Sequence, residues 1–178
     1  MLKGLGAAMA ATGAVALYHI EGVTPESDGP DIITPDAETF VVERLDEGYA
    51  ALTSGDYDVI DLVWIGCPHA SLDELAQVIE SLAGRRVRAA LWVTMAREVR
   101  AEAETAGLVE ALEVLGGRVV ADTCLVVAPV KELGFRRMAT PSGKGAYYAP
   151  SHSGLAVNYG PLEACIEAAV SGKWEIGD

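Results

Sequence analysis

The sequence predicts an α/β fold, a three-layer α/β/α arrangement around a mostly parallel sheet, and three observations carry that expectation. Short runs rich in Val, Ile, Leu and aromatic residues alternate with segments of helical period. Strands alternating with helices of this length imply parallel pairing with helices on both faces. The 178 residues are 51% hydrophobic, enough to bury one substantial core. In such sheets, ligands lie beyond the carboxyl ends of the strands, so those ends are where functional residues are sought.

In chain order, small residues at helical spacing make Leu2 to Ala11 a helix, with Gly13 as its stop. That helix offers almost no polar face, as if it packed against sequence outside this chain. Ala14 to Ile20 is expected as a buried strand, with His19 as a hydrogen-bonded core residue. Glu21 to Thr39 is the longest irregular stretch, marked by Thr24-Pro25 and Thr34-Pro35. Phe40-Val41-Val42 reads as a short strand, and Arg44 to Leu52 as a helix ended by Ser54-Gly55. Val59 to Ile65 is a strand and Leu72 to Leu82 a helix, with Ser71 and Glu74 at capping-box spacing. Val87 to Val93 is the next strand, and Thr94 is expected to cap a helix from Met95 to Thr105. Gly107 separates a second helix, Leu108 to Leu115, and Gly116-Gly117 releases the strand Arg118-Val119-Val120. Arg137-Met138-Ala139 is a short strand, Ser142 to Tyr148 a glycine-softened helix, Leu155-Ala156-Val157 a last strand and Leu162 to Val170 the closing helix.

Charge and cysteine content narrow the function. A net charge of -13 with only 13 Lys and Arg argues against nucleic-acid and anionic-membrane partners, while one or two well-placed cations would still serve a small anionic substrate. The three cysteines, Cys67, Cys124 and Cys165, are an odd number without close pairing, which is no disulfide framework and fits a reducing compartment. Met1 to Leu17 lacks the concentrated apolar block of a signal peptide, and no apolar run reaches the roughly 18 to 20 residues of a membrane span. A cytoplasmic location is expected.

The chemistry concentrates in Gly66-Cys67-Pro68-His69-Ala70-Ser71, where a thiol and an imidazole share a tight turn at a helix N-terminus. The helix dipole favours a thiolate, the form needed for metal ligation or nucleophilic attack. Cys124 follows another strand end beside an Asp. On spacing alone, two buried free cysteines and part of a metal site are both open readings, since mononuclear zinc asks for three or four ligands. A thiol enzyme using Cys67 with His69 is a further option. Cys165 lies on the apolar side of its helix and reads as core filler. The loop Thr140-Pro141-Ser142-Gly143-Lys144 offers hydroxyls, amides and an ammonium group to an anion, but it lacks the spaced upstream glycine of a P-loop.

These motifs carry a resemblance. Gly66 to Ser71, Leu91-Trp92-Val93-Thr94 with Arg97, Ala121 to Cys124, and Thr140 through Ser142, Lys144 and Tyr147 resemble the large subunit of the aconitase X family. So do Leu5 to Ala8, Ala14 to His19 and Gly22 to Glu26. The resemblance runs over nearly the whole chain and implies an aconitase-like domain, residues 1–178 forming one α/β unit from the C-terminal portion of a large subunit. It implies a hydro-lyase whose iron-sulfur cluster is held by three cysteines. Cys67 and Cys124 would be two of them, the third belonging to sequence not in this chain. His69 and Ser71 would be catalytic, and Thr94, Arg97, Ser142 and Lys144 would bind substrate. The implied partners are the missing N-terminal half of the large subunit and a small swivelling subunit, without which the chain would be inactive. The Cys-Pro-His-Ala-Ser turn is more similar to members that dehydrate mevalonate 5-phosphate than to those acting on cis-3-hydroxy-L-proline. Pro141 and Ala96 depart from the family, which usually has Asn and often Ser at those places. A non-catalytic binding or assembly module that retains the fold is the alternative from another class.

Overall fold

A computed structural model describes residues 2–29, 32–54 and 57–175. Among them, strands β1 (Leu62–Ile65), β2 (Ala90–Met95), β3 (Arg118–Ala121), β4 (Arg137–Thr140) and β5 (Ala156–Tyr159) form one sheet in the order β3-β2-β1-β4-β5. Every pairing is parallel. The helices are α1 (Leu2–Gly13), α2 (Asp46–Leu52), α3 (Leu72–Leu82), α4 (Arg97–Thr105), α5 (Leu108–Val114), α6 (Gly143–Tyr148) and α7 (Leu162–Ser171).

The central strand β1 is buried along its whole length. Val63 and Ile65 face one side, with Leu75, Val78 and Leu82 of α3, Leu112 of α5 and Ile166 of α7. Leu62 and Trp64 face the other, with Ala146 of α6 and Leu125, Val130 and Leu155 from the connecting segments. Each fully buried Leu, Ile or Val contributes about 1.5–3 kcal/mol, so this double-faced core is what fixes the sheet. The edge strand β5 is not left open: Ser54 N donates to Val157 O at 2.8 Å, and Val157 N donates to Ser54 Oγ at 2.9 Å.

The expected α/β class, the parallel sheet and helices α1, α2, α3, α5, α6 and α7 are all present. Four local expectations are corrected. Ala14 to Ile20 is no strand, and Leu17 and His19 are exposed. The segment folds back along α1 instead, where the Tyr18 hydroxyl donates to Leu2 O at 2.8 Å. Phe40-Val41-Val42 is likewise unpaired and exposed, because a strand needs a hydrogen-bonding neighbour and none stands beside it among the described residues. The second sheet strand begins at Ala90 rather than Val87, since Val87 N bonds Leu115 O and the amides of Arg88 and Ala89 bond Ala169 O. Thr94 lies inside that strand, and the following helix starts at Arg97 with Ala96 at its N-cap. Gly55, part of the expected stop of α2, lies outside the described residues.

Helix α1 crosses the carboxyl end of the sheet and rests on α6. Close approach is possible because Gly143 has no side chain there; a Cβ would come 3.2 Å from that of Ala8.

Candidate functional site

The sheet is built outward from β1 to β2 and β3, then restarts on the opposite side with β4 and β5. The loops after β1 and β4 therefore diverge, and a crevice is left between them at the carboxyl ends of the strands. A cavity of about 410 Å³ opens at this place, with Cys67 and Pro68 on one wall, Pro141 and Ser142 on another and Lys3 and Leu5 of α1 across it.

The turn carrying Cys67 is locked from below. Gly66 has φ +107°, and a Cβ there would fall on the Thr94 carbonyl oxygen and 2.6 Å from Thr94 Oγ1, so only glycine fits. Thr94 Oγ1 accepts from Trp64 Nε1 at 3.1 Å and donates to Gly66 O at 2.8 Å, while Ala70 N donates to Thr94 O at 2.8 Å. The Cys67–Pro68 peptide is cis. From the far side the Ser142 hydroxyl makes a short hydrogen bond to Cys67 O and accepts from Gly145 N at 2.9 Å. Thr140 Oγ1 donates to Trp64 O at 2.8 Å. Beyond the turn, Ser71 caps α3: Glu74 N donates to Ser71 Oγ at 3.3 Å, and Ser71 N donates to Glu74 Oε2 at 2.8 Å.

The loops that carry the two half-buried cysteines are joined across three strands. His69 Nε2 donates to Thr123 O at 2.9 Å, tying the loop after β1 to the loop after β3. A carbonyl only accepts, so the hydrogen is on Nε2, and Nδ1 of the neutral ring is left as an acceptor. Burial pushes the Cys67 thiol above its ordinary pKa; the Ser142 hydroxyl and the Lys144 ammonium pull it back, and the charge of nearby Cys124 pushes it up again. A thiol whose ionisation is opposed by burial and by a neighbouring sulfur is a donor that a bound cation would relieve. Cys165 has no such setting: it is fully buried in α7, its sulfur faces Gly160 O, and burial pushes its pKa far up. Among the described residues no group of three or more His, Cys, Asp or Glu is placed to hold a metal. Cys67 and Cys124 thus fit part of a three-thiolate set and not the whole.

The remaining expected site residues divide into exposed and interior ones. Arg97, exposed at the start of α4, is aimed by Asp122: Arg97 N donates to Oδ1 at 2.9 Å and Nε to Oδ2 at 2.6 Å. The Arg97 hydrogen bond and charge hold the Asp122 carboxyl below its ordinary range. Lys144 is half-buried within electrostatic reach of Cys67. Thr94 is fully buried and has no face toward a ligand, and the hydroxyls of Ser71 and Ser142 are engaged in the hydrogen bonds above. His152 meets Tyr148 edge-to-face with ring centroids 5.1 Å apart, at the opposite end of β5 from the crevice.

Two residues at the site were not singled out from the sequence. Lys3 Nζ donates to His69 O at 2.8 Å and forms a short ion pair with Glu74, pinning α1 over the Cys67 turn. Asp122 holds Arg97. Both contacts span long sequence separations and leave no local pattern to read.

Residues 60–171 match the family model described as the aconitase X third domain, and residues 1–49 match the aconitase X second domain. The chain is 40% identical to the phosphomevalonate dehydratase large subunit of Methanocaldococcus jannaschii, over 93% of this chain and 41% of that protein. It is 38% identical to the cis-3-hydroxy-L-proline dehydratase of Pseudomonas aeruginosa, over 99% of this chain and 32% of that one. The crystal structure of aconitase X from Thermococcus kodakaraensis, in its holo-form, superposes with a TM-score of 0.84 at 41% identity, covering 94% of this chain and 43% of the other. The chain thus spans about two fifths of the length of the phosphomevalonate dehydratase large subunit it matches.

Proposed function

The chain belongs to the aconitase X family, and on that premise we propose that it is the C-terminal part of the large subunit of an iron-sulfur-dependent hydro-lyase, of the phosphomevalonate dehydratase type. The reading is supported above all by the His69–Thr123 hydrogen bond, which ties the loop of Cys67 at the crevice to the loop of Cys124 and leaves the two thiols within electrostatic reach of each other. Cys67 and Cys124 supply two thiolates to the cluster. The third comes from the portion of the large subunit outside this chain, since Cys165 is sealed in the core. A small subunit closes the assembly, and the working location is the cytoplasm. No helix among the described residues is long and apolar enough to cross a membrane.

When bound, a cluster with one open iron supplies a Lewis acid for the departing hydroxyl. The chain's own residues do the rest. The frame of Gly66, Thr94 and Ser142 fixes the backbone at Cys67, so the sulfur's position does not depend on loop motion. Arg97, oriented by Asp122, and Lys144 attract and hold an anionic group of the substrate. His69 keeps Nδ1 free to take or return a proton while Nε2 is engaged with Thr123 O.

The test uses the chain together with the uncovered portion of the T. kodakaraensis large subunit and its small subunit, reconstituted anaerobically with ferrous iron and sulfide. Wild type and Cys165→Ser are expected to retain iron, whereas Cys67→Ser and Cys124→Ser lose it. Dehydration of mevalonate 5-phosphate is expected to exceed that of cis-3-hydroxy-L-proline, and Arg97→Ala to raise KM more than it lowers kcat. Iron retention unaffected by either cysteine substitution would leave a non-catalytic module as the better account.

A further inference from the structure

Among the described residues of 2–49 none is buried, whereas 60–171 hold a complete two-faced core. A stretch with no interior cannot be a domain by itself. Yet residues 1–49 match a domain model of their own, separate from the one matched by 60–171. The large apolar side chains lie open in this stretch: Leu17 is 74% exposed, Phe40 82%, Val41 79% and Val42 73%. These are the two segments in which the sequence expects strands and the fold supplies no neighbour.

We propose that Ala14–Ile20 and Phe40–Val42 are strands of a second sheet, completed by the portion of the large subunit that curated relatives carry beyond the matched two fifths. The proposal rests on the family reading and adds to it the residues and the mode of contact. Successive strand residues point to opposite faces, so Phe40 and Val42 project to one side and Val41 to the other. A strand apolar on both faces is an interior strand; one lying on a surface alternates apolar with polar. The root of the segment is already fixed. Lys3 pins α1 to His69 O and Glu74, and Ala8 meets α6 at Gly143, so the strip emerges from the rim of the site at a set place. The incoming polypeptide therefore pairs by backbone hydrogen bonds beside the crevice that holds Cys67.

The experiment co-expresses the full chain with the uncovered portion of the T. kodakaraensis large subunit as a separate tagged polypeptide. A one-to-one complex is expected, in which the amides of residues 15–20 and 40–42 exchange roughly tenfold more slowly than in the chain alone. Phe40→Asp/Val42→Asp and, separately, Val41→Asp should each abolish the complex, while the unfolding midpoint read from Trp64 and Trp92 stays that of wild type. Loss of binding from only one of the two faces, unchanged exchange at 40–42, absence of any complex, or protection of these amides in a self-associated chain would each overturn the proposal. The iron content of Cys67→Ser, measured on the same mixtures, reports on the family reading separately, because that substitution leaves the strands untouched.

Discussion

Gly66→Ala is expected to destabilise the chain by about 3 kcal/mol and to displace the Cys67 turn. At φ +107° an L-residue is strained by about 1–2 kcal/mol. The new methyl would also overlap the Thr94 carbonyl oxygen, which is backbone in the adjacent strand and cannot rotate away. Relief requires β1 and β2 to part at their carboxyl ends. That breaks the hydrogen bonds from Thr94 Oγ1 to Gly66 O and from Ala70 N to Thr94 O, both 2.8 Å, each worth roughly 0.5–1.5 kcal/mol net. Urea unfolding followed by the fluorescence of Trp64 and Trp92, whose rings lie 5.6 Å apart, reads the result directly. With a slope of about 1–3 kcal/mol per molar, the midpoint should fall by roughly 1–3 M. Gly84→Ala is the control: φ is +75° there, but a Cβ meets nothing within 4 Å, so only the backbone strain is added. A Gly66→Ala midpoint no lower than that of Gly84→Ala would refute the close approach of the two strands as the lock on the turn.

Thr94→Val keeps the shape and removes the hydroxyl between Trp64 Nε1 and Gly66 O, so it should cost about 1–3 kcal/mol in the same assay and alter the Trp64 emission. Burial alone would raise the Glu74 pKa, but the Lys3 hydrogen bond, the Ser71 amide and the Lys3 charge outweigh it and hold the carboxyl below its ordinary 4.5. A carboxyl lowered in the folded state stabilises above its unfolded pKa and loses that contribution as pH falls through the folded one. Acidification below about pH 4.5 should therefore free α1 from the Cys67 turn, read as faster amide exchange in residues 3–13 relative to α3, and Lys3→Met should produce the same loosening at neutral pH. Alkylation of the native chain at alkaline pH should label Cys67 and Cys124 and spare Cys165 until the protein is unfolded, because only Cys165 is fully buried with its thiol pushed far up.

What could be read beforehand was what local physics decides. The α3 boundaries and its capping box follow from Ser71, Glu74 and an apolar stripe, all within one stretch of chain. The crevice beside Cys67 followed from the strand-helix alternation and the rule for parallel sheets. Ala14–Ile20 and Phe40–Val42 went the other way, since β-propensity describes a side chain's fit to a sheet and cannot say whether a neighbouring strand is present. Thr94 was misassigned for a related reason. A Thr between a strand and a helix has the signature of a cap, but its hydroxyl found Trp64 Nε1 in the adjacent strand, a partner that only the folded register supplies.

The fate of the hydroxyls reaches further than one residue. Ser71, Thr94, Thr140 and Ser142 all stand at strand ends around the crevice, where polar side chains suggest ligand contacts, and all four turn to the protein's own backbone or side chains. Each satisfies a backbone group that the ladder or the helix leaves open, which a buried turn must do by some means. The division of labour follows from burial. Small hydroxyl residues hold the loops, while Cys67 lines the crevice and Cys124, Lys144 and Arg97 keep their side chains at least partly open to solvent. Replacing a frame residue should thus shift stability and every site property together. Replacing Arg97, whose ion pair with Asp122 is solvent-exposed and so worth little, should leave the unfolding midpoint nearly where it was, so that a KM change in Arg97→Ala reads binding alone.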